Sequence, residues 1–543
     1  MCVPYEIRFI YGINTVTCRG CTLGSPSFGT APVSFKGGKT LNYLIIMDVG
    51  TSGMLTSIYD EKGGVHYSTY SAYSTEFIYP SMVEEDPKDW RDASIDTLKN
   101  VAEYAAKHGI KPIGISVSSQ RASLIPVEKD GTPMRNALMW QDKRTIAECD
   151  EMSAQITMEQ LYALTGLRLS PYAVVPRMLW LKNHQSEIFD KAHKLIGVQD
   201  YVIHCLTGNF KTDWTQAART MLMNIEKFKW EPELLKLANV TEDKLCELVP
   251  PASNAGGITA EMAGLTGLPQ GLPVVIGGGD QQCAALALNV VAPGKAEANT
   301  GTGSFVIGYT DTPRFDKQCR VICSASAIPG KWILEAGIFN TGSVYRWFRD
   351  EYCHDLGTEN IYDLMNKEVE ASSAGARSVM MLPHFEGAAA PYWEPKGKGV
   401  FFNLSLGTTR GDMLRAVMEG ISMEIADIIA LLEGLSGKID EVTIAGGMAR
   451  ANIFAQIQAD VIGTLVTRSD NAEASSLGAA ISGMTTLGVH SSVEEAAKVM
   501  MGSNFDRFNP NAENQAVYRK LRERKSKLFY ALQQGGVYNE FMD

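Results

Sequence analysis

From Tyr43 the chain settles into regular alternation. An apolar run, Leu44 to Met47, leads into the turn Asp48-Val49-Gly50-Thr51-Ser52-Gly53, and a second run continues to Tyr59 before the turn DEKGG. Short runs bounded by turn residues read as strand, tight turn, strand. Asp86 then stands where a helix cap belongs, with Pro87 at the first helical position. Ile95, Leu98, Ala102 and Ala105 recur at spacings of three and four, and Gly109 supplies the stop. A short strand is expected over 113–117. Strands and helices alternate from there on, which predicts an α/β protein.

The opening figure recurs. LPVVIGGGDQQ is followed by a helix-like AALALNVV and then by KAEANTGTGSFVIGYT, again strand, Gly/Thr/Ser turn, strand. Two hydroxyl-rich turns about 250 residues apart predict two similar halves. A helix over 412–432, a strand over 442–445, the turn GGMAR and a helix over 452–462 complete the second half. The chain is expected to divide near residue 295, into 42–294 and 295–509, with a charged helical tail over 510–543. Residues 1–41 show no sustained period and are rich in Gly, Ser, Thr and Pro, so they read as a poorly ordered extension, such as a start placed too far upstream would add.

Composition narrows the class. A chain of 543 residues with 45% hydrophobic and 20% charged positions has room for several cores or two large ones, which excludes a disordered or fibrous protein. Asp plus Glu outnumber Lys plus Arg by 61 to 50, with no long basic run, so neither a general nucleic-acid binder nor a polybasic membrane binder is expected. The ten cysteines are sparse and mostly set singly in apolar surroundings, as Cys205 and Cys283 are, and read as reduced core residues. Cys18 and Cys21 have metal-like spacing but no second pair to complete a tetrahedral site. No apolar run is long enough to span a bilayer and the first 40 residues lack a signal peptide's pattern, so a soluble cytoplasmic protein is expected.

The turns hold the candidate chemistry. In the first, Gly50 and Gly53 let backbone N–H groups face an anion, the hydroxyls of Thr51 and Ser52 can donate to phosphate oxygens, and Asp48 can hold a hydrated Mg²⁺. Alone this is scarcely more than a hairpin turn; with Gly301-Thr302-Gly303-Ser304 it makes two jaws around a polyphosphate. Gly446 and Gly447 follow an apolar strand and open a helix, as a turn against which a base or ribose lies would. Neither this turn nor GGGDQQ has the G-x-G-x-x-G spacing of a dinucleotide fold. Asp280, after a strand and three glycines, can accept a proton from a hydroxyl attacking phosphorus, although an N-cap role is the plain alternative. Gln120, Arg121, Trp140 and Tyr172 each end an apolar stretch and together suit a hydroxylated acceptor, stacked on an aromatic face.

These motifs, in this order, resemble the FGGY carbohydrate kinases of the actin, Hsp70 and sugar-kinase superfamily. DVGTSG resembles that family's first phosphate motif, VEEDPKDW the segment after it, GGGDQQ the catalytic-base motif and GTGS the second phosphate turn. The run from Gly399 through Glu419 is similar to its C-terminal signature, and GGMAR with QADVIGT to its adenosine segment. Individual pieces are similar to glycerol kinases (SQR, TGLRLSPY, GAAAPYWEP), to xylulokinases (WQD) and to autoinducer-2 kinases (YRWFRDEYC). The resemblance implies two RNase-H-like domains with an interdomain cleft, and phosphoryl transfer from ATP to a hydroxyl of a small sugar or polyol, in a homo-oligomer. It implies Asp280 as general base, Arg121, Tyr172, Gln281 and Phe305 as acceptor contacts, and Trp140 as the cover of the acceptor's carbons. Thr51, Ser52, Thr302, Gly342 and Gly447 would contact the nucleotide, with Mg²⁺ near Asp48.

Four positions depart from the pattern. Ala122 stands where glycerol kinases carry Glu, which removes a buried hydrogen-bond acceptor and points away from glycerol as the substrate. Leu55 replaces a frequent Arg or Lys near the phosphates, Arg177 replaces the usual Lys after the PY segment, and Ala451 replaces the Asn or Ser common near the adenosine turn. Leu55 is the feature that keeps open a non-transferring alternative, an actin-like or Hsp70-like ATPase or a sugar-responsive binding protein.

Overall fold

A computed structural model describes residues 41–78, 81–469, 473–502 and 505–541. The expectations for residues 1–40, including Cys18 and Cys21, lie outside the described residues. From Asn42 onward the chain is one compact unit.

Two large sheets are built on one plan. In the first, Val65–Ala72, Gly53–Asp60, Tyr43–Val49, Pro112–Ser119, Pro273–Gly279 and Ser253–Gly257 lie side by side in that order. Successive pairings are antiparallel, antiparallel, parallel, parallel and antiparallel. The second sheet repeats the same six places with Trp332–Ile338, Ser304–Thr310, Lys295–Thr300, Glu441–Ala445, Leu465–Ser469 and Phe505–Phe508, and adds Ile322–Ala325 at one edge. The two halves read from the hydroxyl-rich turns are therefore the two sheets, and each turn joins the first two strands of its sheet.

Local signals set the element ends. Asp86 caps the helix Pro87–His108 by accepting from the Lys88 N–H, and Gly109 closes it in the left-handed region at φ 68°. The helix expected over 412–432 is longer, Arg410–Ser436, because Thr409 and Asp412 form a capping box one turn earlier. The helix after GGG begins at Asp280 itself, with Gly279 as its cap residue, so Asp280 is not the N-cap.

The halves are joined by more than a linker. The helices Asp280–Ala287 and Ala474–Thr486 each follow the fifth strand of their own sheet and pack against each other. Ala474–Thr486 also lies on the first sheet, where the Ser116 hydroxyl donates to the Ala479 carbonyl at 2.7 Å. A core of Leu44, Ile46, Cys283, Ile307, Leu477 and Ile481 fills this junction. The C-terminal helix Ala512–Gln534 forms as expected, but it is part of the core rather than a tail. Tyr518, Leu521 and Phe529 are buried, and the fully buried Lys525 ammonium lies 2.5 Å from Glu424 and 2.7 Å from Asp427. The seven described cysteines are all free. No helix among the described residues is long and apolar enough to cross a membrane.

Candidate active site

The first turn is a rigid loop whose carbonyls are occupied from outside. Gly50 N–H closes it onto the Gly53 carbonyl at 3.0 Å. Tyr73 and the Gln120 amide donate to the Gly50 carbonyl, and Tyr70 donates to that of Ser52. Trp140 Nε1 donates to Thr51 Oγ1 at 3.1 Å, so the Thr51 proton is left to point elsewhere, while the Ser52 side of the turn is exposed. Asp48 sits directly opposite Leu55 in the hairpin. A cation there would pair with it; Leu55 cannot. Burial, with Asp280 and Glu473 adding to it, pushes the Asp48 carboxyl up to about 7, and Ser476 is its hydrogen-bonding neighbour at 3.5 Å. Carboxylates that raise one another in this way suit a hydrated divalent cation, although no group of three or more metal-ligating side chains occurs among the described residues.

Three loops carry the acceptor candidates, and one buried side chain ties them. Arg177, in the helix Val174–His184, is fully buried. Its Nη1 donates to the carbonyls of Ala122, Tyr172 and Ala173, and its Nη2 to those of Trp140 and Asp142, at 2.7 to 3.2 Å. Burial lowers its pKa to about 10, which still leaves it charged at neutral pH. The departure at 177 is thus a clip for the loops rather than a ligand contact. Held this way, Trp140 and Tyr172 stay 39% and 37% exposed, and Phe305 is 40% exposed on the second sheet. Gln120 Oε1 and Gln281 Oε1 are buried without a hydrogen-bond partner, as is Nη1 of Arg219. Such atoms are costly unless something pairs with them.

Asp280 lies between these loops and the second sheet. Its Oδ1 accepts from the Gln281 N–H at 2.7 Å and lies 3.4 Å from Arg121 Nε. The Gln281 side chain also hydrogen-bonds the carboxylate. Burial raises its pKa above the usual carboxylate range, with Arg121 opposing. The fork of Arg121 is taken by Glu335 of the second sheet, Nη1 to Oε2 at 2.9 Å and Nη2 to Oε1 at 3.2 Å. Burial works to raise Glu335, and the Arg121 and Arg219 guanidinium groups overcome it and hold it at about 2.

In the second half three glycine turns converge. Gly301 N–H closes on the Gly303 carbonyl at 2.9 Å, and the N–H groups of Thr341 and Gly342 donate to Thr302 and Gly301 at 3.0 Å. A Cβ on Gly342 would lie 2.3 Å from the Gly301 carbonyl oxygen, and one on Gly446 2.3 Å from that of Thr300, so both contacts require glycine. Gly301, Thr302, Gly446 and Gly447 are exposed, and Ala451 follows the short 3₁₀ turn Met448–Arg450 at the start of Asn452–Ile462.

The first turn, Gln120, Arg121, Trp140 and Asp280 are linked by these contacts. Gly446, Gly447 and Ala451 belong to a separate cluster in the second half. Glu335, Arg219 and Ser476 were not singled out in the sequence. A Glu inside the apolar strand WILEAGI was the available signal for the first; the other two carried none.

The family model described as FGGY family of carbohydrate kinases, N-terminal domain, matches residues 43–287, and the C-terminal domain model matches 296–487. Gluconokinase of Bacillus licheniformis is 28% identical over 489 residues, covering 88% of this chain and 94% of that protein. Glycerol kinase 2 of Thermotoga maritima is 30% identical over 503 residues, covering 90% and 99%. Among solved structures, ligand-bound xylulose kinase from Lactobacillus acidophilus superposes with a TM-score of 0.85 at 27% identity, covering 92% of this chain and all of that one.

Proposed function

The chain belongs to the FGGY family of carbohydrate kinases, which transfer phosphate from ATP to a sugar or polyol hydroxyl, and on that premise we propose how its residues divide the work. Asp280 is the general base. The observation that carries this is its carboxylate, held beside Arg121 by the Gln281 N–H yet still 28% exposed, so it can take the proton of the attacking hydroxyl. The acceptor oxygen bonds to the γ-phosphorus as the bond to the β,γ-bridging oxygen breaks, the proton goes to Asp280, and ADP departs.

The acceptor lies among Gln120, Arg121, Trp140, Tyr172, Gln281 and Phe305, with the unpartnered Gln oxygens receiving its hydroxyl protons and the rings covering its carbons. ATP phosphates meet Thr51, Ser52 and Thr302, with Gly50, Gly301 and Gly342 shaping those turns, and its adenosine lies by Gly446, Gly447 and Ala451. Mg²⁺ near Asp48 would neutralise phosphate charge. Residues 42–294 thus carry the acceptor and the first phosphate turn, and 295–509 the nucleotide.

The acceptor is a linear polyhydroxylated compound of more than three carbons. Ala122 supplies no carboxylate to accept hydrogen bonds from a three-carbon polyol next to Arg121. Of the relatives' names, gluconokinase and xylulose kinase agree with such an acceptor, and glycerol kinase does not. ADP release with ATP and Mg²⁺ across glycerol, erythritol, xylulose and gluconate tests this. Fastest turnover on a compound of four or more carbons is expected; glycerol as the best acceptor would overturn it.

The Trp140→Phe variant separates ring from donor. It keeps the cover over the acceptor and frees Thr51 Oγ1, so KM for ATP should rise about three- to tenfold, the worth of one hydrogen bond, with acceptor KM nearly unchanged. A rise confined to acceptor KM would sink this role.

A further inference from the structure

Across the second sheet Glu335, Ile307 and Glu297 are consecutive cross-strand neighbours, and so share one face. Ile307 belongs to the apolar core at the junction of the two sheets, which makes this face the one turned toward the first half. A carboxylate here needs a cation. Glu335 finds it in Arg121, 214 residues away, with side-chain exposures of 3% and 8%. The same guanidinium turns its Nε edge to Asp280. One rigid, planar cation is thereby fixed between carboxylates of the two halves.

The alternative arrangement explains what Glu335 does. Without it the Arg121 fork would be free to swing onto Asp280, and a bidentate pair would occupy both carboxylate oxygens, one of which must reach the acceptor hydroxyl. We propose that Glu335 is a positioning residue for phosphoryl transfer: it holds the Arg121 fork away from Asp280 and keeps the base open to the acceptor. The inference rests on Asp280 being the base.

The charged groups facing Asp280 are Arg121 and Arg219 from the first half, Glu335 from the second sheet and Asp48 from the strand Tyr43–Val49. Removing the Glu335 charge leaves the two cations less opposed, so the Asp280 carboxyl drops and becomes a poorer base.

The test is the Glu335→Gln variant, which keeps size and loses charge. It should lower kcat about 100-fold, move the acid limb of the kcat profile to lower pH, and leave acceptor KM within about threefold. Glu335→Asp, which keeps the charge, should recover part of kcat and restore the limb. An unchanged kcat, or a loss of kcat with an unmoved limb that Asp does not rescue, would overturn the proposal and leave Glu335 a structural tie. Should the Gln variant not fold, Glu335→Asp alone decides: kcat reduced at constant acceptor KM supports positioning, and wild-type kcat refutes it. If Asp280→Asn keeps full turnover, the base assignment fails instead, which the Glu335 variants cannot imitate.

Discussion

Replacing Asp280 by Asn should lower kcat about a thousandfold, the scale of a lost general base, while ATP and acceptor affinities stay within a few-fold and the melting temperature is nearly unchanged. The size is the same, the Gln281 N–H keeps an oxygen to donate to, and Arg121 keeps Glu335. The pH dependence follows with a definite sign. The ionised carboxylate is the active form and burial raises its pKa, so wild-type kcat should climb with pH through a limb above the ordinary carboxylate range. The Asn variant's residual rate should lose that limb. Steady-state kinetics from pH 4 upward read both effects; turnover retained in the variant would place the base elsewhere.

Arg177→Met should have the largest effect on stability. Five carbonyls from the loops around Ala122, Trp140 and Tyr172 would lose their donor in a dry interior, a loss of about 3 to 5 kcal/mol. The same change frees the acceptor loops from one another, so acceptor KM should rise at least about tenfold where folded enzyme remains, with KM for ATP less affected. Arg177→Lys should fall between, because an ammonium has three N–H bonds to offer and they diverge from one atom. Denaturant midpoints with KM for both substrates decide it. A Met variant of wild-type stability and acceptor KM would show that water replaces the guanidinium at no loss.

The elements and their ends were legible because their causes are local. A glycine in the turn, an Asp before Pro87, a Thr three residues before Asp412 and an apolar period of two or 3.6 act within a few residues. Repetition of one such local figure sufficed to read two similar halves, and motifs in a set order sufficed for the family. What stayed hidden depends on pairing across distance. Periodicity says that Glu335 points into a buried face but not that Arg121 awaits it. Arg177 stood out in the sequence only as a departure from Lys, with nothing to say that it reaches five carbonyls of three loops. The polar and small helix ASSLGAAISGMTT belongs by order to the second half yet lies on the first sheet. The sequence by itself determined strands, helices, turns and chemistry, because these are fixed by each residue's own conformational and hydrogen-bonding demands. Only the tertiary structure decided which buried charges meet, because that is fixed by how two sheets, hundreds of residues apart in the chain, close on one another.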